Sequence, residues 1–390
     1  MRDVVIVGAG PVGLLLASLL AQRGLDVAVL EKRTDASAHS RAIGIHPPAL
    51  AALEQIGVSA AAIAHGVRIG DGVARCDGRM LGRLSFAEAG ARHPFVLALP
   101  QRETEALLRE RFAELRADGV RRGIAVLGVR DRDDHVEIVL SGKGGQPTVE
   151  RARFVVGADG PRSVVRESSR IRWRPLRREQ SYLMADYPDV SGRATTAVLF
   201  FERGGVVESF PLPGGWRRWV ALTDRAWPSA SAGDLAGIIH DRTGIDVLDG
   251  LDTVAARDRA DASLSAFSVR QHLAARMAAN RVMLAGDAAH EISPIGGQGM
   301  NLGWLDAMSL APALELALRD GADVRTVALH DYDERRRRAA RTAARQAAFN
   351  MTMGRPVTGM RLRARNGLVR SLAVPPLRGL LARAFTMRWL

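Results

Sequence analysis

At 390 residues, with 47% hydrophobic and 25% charged side chains, the chain is long enough for a large core and two domains and has an ordinary globular composition. No apolar run reaches the ~20 residues needed to cross a bilayer, and the single cysteine, Cys76, excludes an internal disulfide and a cysteine metal cluster and fits a reducing cytoplasm. The net charge of +13 is almost all arginine, because Lys32 and Lys143 are the only lysines; with aromatics at 5% and no nucleic-acid motif, it reads as genomic composition rather than a surface for nucleic acid.

The N-terminus, VVIVGAG, is a strand running into a glycine turn, not a signal peptide. Residues 3–7 predict a buried parallel strand. Residues 11–23 predict a helix with Pro11 in its first turn and Gly24 as a left-handed cap, and 26–30 a second strand, which makes a βαβ start. A helix is expected over 103–117, with strands over 125–129, 135–140 and 153–156. Between about 181 and 222, apolar runs broken by Asp-Tyr-Pro, Arg-Gly-Gly and Pro-Gly-Gly predict an antiparallel sheet. Residues 282–285 read as a buried strand that breaks at Gly286-Asp287, followed by helices over 302–319 and 324–349. The arginine-rich tail, 355–390, carries Val357, Met360, Leu362, Leu368 and Leu380; helices packed on the core are expected there, with a membrane-surface or substrate-entry helix as the alternative.

Three strand-to-helix turns carry chemistry. In Gly8-Ala-Gly10-Pro11-Val12-Gly13, Gly8 permits the tight turn, Gly10 lets a pyrophosphate approach and Gly13 lets the helix sit close to the strand. Glu31 follows at the end of the next strand, placed to accept ribose hydroxyls. A second turn runs Gly157-Ala-Asp159-Gly160-Pro-Arg162-Ser163, and a third runs from Gly286-Asp287 through His290 and Pro294 to Gly296, Gly297 and Gly299. An aspartate just past a strand end can hold a sugar hydroxyl, and bare backbone at the mouth of a helix lets a planar, electron-rich ligand reach amide N–H groups. Two nucleotide-style turns over 270 residues apart imply one long ligand gripped at both ends. Because the last turn follows the sheet, the first domain is discontinuous, comprising 1–70, 97–167 and 277–345. Residues 71–96 and 168–276 form the inserted sheet domain and 346–390 a C-terminal helical segment. The expected class is α/β (α+β overall): a Rossmann-like dinucleotide-binding domain with an inserted antiparallel-sheet domain and C-terminal helices.

In this order the motifs resemble the para-hydroxybenzoate hydroxylase family, the class A flavoprotein aromatic monooxygenases, over about residues 1–345. GAGPVG with Glu31 resembles that family's ADP-binding fingerprint, GADGPRSVVR its DG motif, and AGDAAHEISPIGGQGMN its GD motif, which cradles ribitol and isoalloxazine. Ser40-Arg41-Ala-Ile-Gly-Ile-His46 resembles the loop that places an arginine and a polar residue beside the flavin, and Pro100-Gln101 resembles the glutamine contact to the flavin chain. The resemblance implies noncovalent FAD, NADPH or NADH as co-substrate, and dioxygen, with a flavin C4a-hydroperoxide as the oxygen donor. It implies cofactor contacts from Gly8, Gly10, Pro11, Val12, Gly13, Glu31, Lys32, Arg33, Arg41, Gln101, Val129, Asp159, Gly160, Gly286, Asp287, Pro294, Gly297, Gly299, Met300 and Asn301, and no metal. Arg41, His46 and Pro294 are expected beside the reacting centre, with a solvated loop arginine as the alternative for Arg41. His290 reads as structural rather than as a base.

The expected reaction is hydroxylation of an aromatic substrate, a polycyclic phenol or quinone, by a cytoplasmic monomer or homodimer with no membrane span and no nucleic-acid partner. An alkene epoxidase or a prenyl-chain reductase on the same scaffold, and a binding-only flavoprotein, are the alternatives. Flavin halogenases share the FAD fold but show Trp-x-Trp-x-Ile-Pro; here Trp216 and Trp219 are spaced Trp-x-x-Trp, no Ile-Pro follows, and on a strand they fall on opposite faces. Larger relatives carry a thioredoxin-like C-terminal domain, for which the roughly 45 residues after the last core helix are too few.

Overall fold

The computed structural model describes residues 1–35, 42–90, 92–142, 146–292, 297–319, 322–375 and 377–387. Strand Arg2–Val7 ends in four buried apolar residues. It pairs in parallel with Val27–Glu31 on one side and Thr148–Gly157 on the other, and the latter pairs in parallel with Val282–Leu284. The register sets Val7 level with Leu30 and Gly157, and Gly157 level with Leu284. All four strands therefore end at one edge, and the chain leaves each of them there. In an open parallel sheet that carboxyl edge is where ligands bind.

Helix Pro11–Ala21 is apolar on every side, as a fully sandwiched helix must be. It lies between the sheet and the long helix Gln298–Arg319, whose Trp304 donates its indole N–H to the Pro11 carbonyl at 3.0 Å. The long helix starts at Gln298, four residues before the predicted start, so Gly299 belongs to its first turn rather than to a loop. Gly24 adopts φ +76°, as expected of the cap.

Five strands of the second sheet lie in the chain between strands Thr148–Gly157 and Val282–Leu284; a hairpin from earlier in the chain and a short strand after Leu284 complete it. Its order is His290–Glu291, Ser265–Ala274, Trp173–Pro188, Trp216–Thr223, Gly205–Leu212, Thr196–Glu202, Asp71–Cys76 and Arg79–Ser85. Every neighbouring pair is antiparallel except Thr196–Glu202 with Asp71–Cys76, which is parallel. The expected antiparallel sheet is thus joined in parallel to a hairpin from earlier in the chain. Side chains alternate between its faces. Leu183, Ala185, Tyr187, Trp219 and Ala221 pack under helices Ala232–Thr243 and Val254–Ser263, while Tyr182, Met184, Val220, Leu222 and Val269 face the other way. Trp219 is in that core, and Trp216, expected on the opposite face, is half-buried at the strand start and packs against the same cluster, with the Arg259 guanidinium of the covering helix 3.8 Å from its ring.

A small sheet of Gly44–Ile45, Val96–Ala98 and Val67–Ile69 holds the segment leading to His46. Helix Ala322–Met353 packs on the long helix, and the tail forms helices Gly359–Leu372 and Leu377–Phe385. The tail is packed on the fold: Leu381, Ala382 and Phe385 meet Phe86, and Arg378 pairs with Glu88 at 2.7 Å. Among the described residues no helix is long and apolar enough to cross a membrane.

Candidate cofactor and substrate site

The glycine turn is built by close approach. Gly8 has φ +106°, and a Cβ there would lie 2.4 Å from the Ala158 carbonyl oxygen, so the first and second turns touch through bare backbone. A Cβ at Gly13 would lie 2.0 Å from the Gly8 carbonyl oxygen, which is why the helix can start directly against the turn. At Gly10 a Cβ would meet no protein atom within 4 Å; it would project into a cavity. We expect Gly8→Ala to cost on the order of 1–3 kcal/mol from the backbone angle alone, with the clash added. Thermal denaturation and flavin content of the purified variant check this; a variant as stable and as loaded as the parent would refute it.

Glu31 is buried and both its oxygens are engaged. Oε2 accepts the Ala9 amide at 2.9 Å, and Oε1 accepts the Arg33 amide at 3.0 Å and the Arg33 Nε at 3.2 Å. Burial works to raise its pKa, but these donors outweigh it and hold the carboxyl below its ordinary range. On the second turn, Asp159 Oδ2 accepts the Val165 amide at 3.3 Å, while Oδ1 is buried with no hydrogen-bond partner. Burial holds its pKa above the ordinary range. Arg166 ties the second turn to the third, donating to the carbonyls of Pro161 at 2.8 Å and Ala288 at 3.1 Å, with its guanidinium 4.0 Å from the Trp173 ring.

On the third turn Asp287 lies deep in the fold, yet its carboxyl is open to the cavity; the depth raises its pKa. Behind it sits a closed ionic cluster. Asp306 accepts the Gly286 amide at 3.0 Å, His290 Nε2 at 2.6 Å and Arg336 Nε at 2.7 Å. His290 and Asp306 are fully buried and neither lines the cavity. Asn301 closes the front: its Oδ1 accepts the His46 amide at 2.8 Å and its Nδ2 donates to the carbonyls of Gly44 and Gly297 at 2.8 and 2.5 Å.

These parts surround one continuous cavity of about 800 Å³. At one end its wall is Gly8, Gly10, Pro11, Val12, Glu31, Lys32 and Arg33; the middle is Gln101, Asp159, Gly160, Asp287, His46, Gly297, Gly299 and Met300. At the other end it opens beneath the second sheet, among Met184, Leu199, Phe201, Val206, Phe210 and Val220, closed by Leu381 and Phe385 of the tail. The residues present fit a dinucleotide: an open approach at Gly10 and an unengaged carboxylate on Asp287 face the same space, and Asp159 lines it.

Residues 1–347 match the family described as FAD binding domain. The chain is 34% identical to rifampicin monooxygenase of Rhodococcus hoagii, over 87% of this chain and 69% of that protein, and 34% identical to 6-methylpretetramide 4-monooxygenase of Streptomyces rimosus, over 82% and 57%. Superposed on the crystal structure of p-nitrophenol 4-monooxygenase from Pseudomonas putida, it gives a TM-score of 0.84 at 26% identity, covering all of this chain and 97% of the other. The chain belongs to the FAD-dependent aromatic monooxygenases. It spans between 57% and 69% of the length of the first curated relatives it matches.

For this family member, most residues expected at the cofactor line the cavity; four stand behind it. Gly13, Gly286 and Asn301 shape the wall from the second layer. Val129 lies off the cavity, buried in the sheet core opposite Ile138, because the strand bearing it runs away from the turn; Ile124 and Val126 line the space instead. Arg41 and Pro294 fall outside the described residues. Sequence reasoning missed Arg218, which lines the chamber with its guanidinium bound two-pronged to Asp186 at 2.7 and 3.0 Å, and it missed Glu208. A cluster of Cys76, Asp77 and Glu202 brings three ligand-type atoms within 4.8 Å of one another, where no metal had been expected. Burial raises the Cys76 pKa, and Glu202 already accepts the Asp77 amide at 3.0 Å, so the cysteine is a buried thiol.

Proposed function

We propose that this flavoprotein is an aromatic hydroxylase that binds FAD noncovalently and uses NAD(P)H and dioxygen to add one oxygen atom to a polycyclic phenol or quinone. The carrying observation is the single cavity that joins the dinucleotide turn to an apolar chamber beneath the second sheet. When bound, FAD supplies the redox and oxygen-activating chemistry. The chain's own residues bind, orient and exclude water. The Gly8 to Gly13 turn and the N-terminus of helix Pro11–Ala21 would take the diphosphate. Glu31, Asp159 and Asp287 would accept hydroxyls. The amides of Gly297 to Met300, at the N-terminus of the long helix, would meet negative charge on the ring end. The apolar sheet face and tail helices keep water from the chamber.

Relatives whose names give rifampicin, 6-methylpretetramide and p-nitrophenol support an aromatic substrate. The single buried cysteine supports a reducing, cytoplasmic setting, and a monomer or homodimer is the expected state. Purified protein should be yellow and should release free FAD on acid or heat treatment; colourless protein that FAD cannot reconstitute would sink the assignment. With labelled dioxygen and a panel of phenols, naphthacenes and anthraquinones, one labelled oxygen should enter the ring. A gain of two hydrogens without label would mean a reductase, and label on an isolated alkene an epoxidase.

A further inference from the structure

The roof of the substrate chamber carries one polar group for which the protein provides no partner. Glu208 sits mid-strand in Gly205–Leu212 and points into the cavity with its neighbours Val206 and Phe210. Across the sheet it stands level with Leu199 on one side and Val220 on the other, both cavity-lining and apolar. It is 4% exposed, and among the described residues no hydrogen bond or ion pair engages its carboxyl. The polar groups around it are committed elsewhere. Arg218, diagonal to it on the next strand, is bound to Asp186 through both prongs. The Tyr182 hydroxyl donates to Gln180 Oε1 at 3.0 Å, and burial together with Glu208 pushes its pKa well up. Strand Ser265–Ala274 offers the exposed Arg270, paired with Glu179 at 3.3 Å, and helix Ala322–Met353 is followed by the exposed Arg355. Strand Thr196–Glu202 presents no titratable group on this face.

A polar group enclosed by apolar walls and left without a partner is costly. Buried groups of this kind are rare, and each calls for a ligand or a role. We propose that Glu208 is the polar anchor of the chamber, donating its carboxyl O–H to a carbonyl oxygen on the edge of an otherwise apolar ring system, so that quinones and aryl ketones are selected over plain hydrocarbons. The proposal rests on the hydroxylase reading for the identity of the chamber. Burial alone pushes the Glu208 pKa up to about 7, so the acid that donates is present at and below neutral pH. Above that pH the carboxylate cannot donate and repels a carbonyl oxygen. Affinity for the carbonyl compound therefore falls as pH rises through about 7.

The test measures binding, not turnover. Holoenzyme is titrated with anthraquinone and with anthracene, neither of which ionises, by following the flavin spectrum without nicotinamide between pH 5.5 and 8.5. Anthraquinone should bind the parent about tenfold tighter than anthracene at pH 6, and its Kd should rise toward about tenfold per pH unit above neutrality. Glu208→Gln keeps a donor, so anthraquinone binding should survive with a flat pH profile. Glu208→Leu should bind the two compounds alike; retained FAD reports that each variant is folded. The proposal is overturned if the parent fails to bind anthraquinone, if it fails to discriminate between the two, or if Glu208→Leu keeps the preference and its pH dependence. Binding that follows this pattern without oxygen incorporation would refute the hydroxylase reading and leave the anchor standing.

Discussion

Replacing Asp306 with alanine is expected to destabilise the protein by roughly 3–5 kcal/mol, because it removes one partner from a buried ionic cluster. Asp306 is fully buried and takes three donors: the Gly286 amide, His290 Nε2 and Arg336 Nε. Without the carboxylate, the Arg336 guanidinium stays buried with, among the described residues, only the Leu302 carbonyl at 3.3 Å, and the turn that presents Asp287 loses its anchor. FAD content should fall with stability. Burial would raise the Asp306 pKa, but the His290 and Arg336 charges outweigh it and the net shift is downward. A depressed pKa contributes stability that is present above the unfolded value, about 3.9, and is lost as pH falls through the lower folded value. Parent and variant should therefore differ most near neutrality and converge in acid. Urea unfolding of the two proteins at pH 7 and at successively lower pH, well below the unfolded value, measures this; a difference under about 1 kcal/mol at pH 7 would mean the cluster carries no weight.

The three turns were legible in the sequence because each couples a buried strand to a glycine spacing that only a tight backbone approach requires. Their meeting at one sheet edge followed from the parallel order, and the cavity residues from Gly8 to Arg33 and from Gly297 to Met300 came with it. Other features were hidden for physical reasons. Strand Gly205–Leu212 is buried on both faces, so its pattern shows no period of two and nothing marks which side Glu208 takes. The contact of Asn301 with Gly44 and His46 joins residues more than 250 positions apart, which spacing cannot reveal. Helix Ala232–Thr243 was not expected, although Ser231 and Asp234 form a reciprocal cap whose serine and acid, three residues apart, were there to be read. Helix Val254–Ser263 is short, charged and weakly amphipathic, so only its contact with the sheet core defines it.

Glu31→Ala should weaken FAD binding on the order of ten- to a hundredfold while leaving the fold intact. A carboxylate offers about four lone-pair sites. Ala9 and the two Arg33 donors occupy three of them, which leaves room for one ribose hydroxyl rather than two. Losing one hydrogen bond to a charged group costs roughly 1.5–3 kcal/mol, the source of that range. The same donors that hold the pKa below its ordinary range keep the carboxylate ionised through mild acid, so the parent's affinity should hold from pH 7 down to about 5. The variant also frees the Ala9 amide at the first glycine turn, which adds to the loss at the diphosphate. Fluorescence titration of apoprotein with FAD at both pH values decides the matter: a variant Kd within twofold of the parent would show that Glu31 braces the turn and does not hold the ribose.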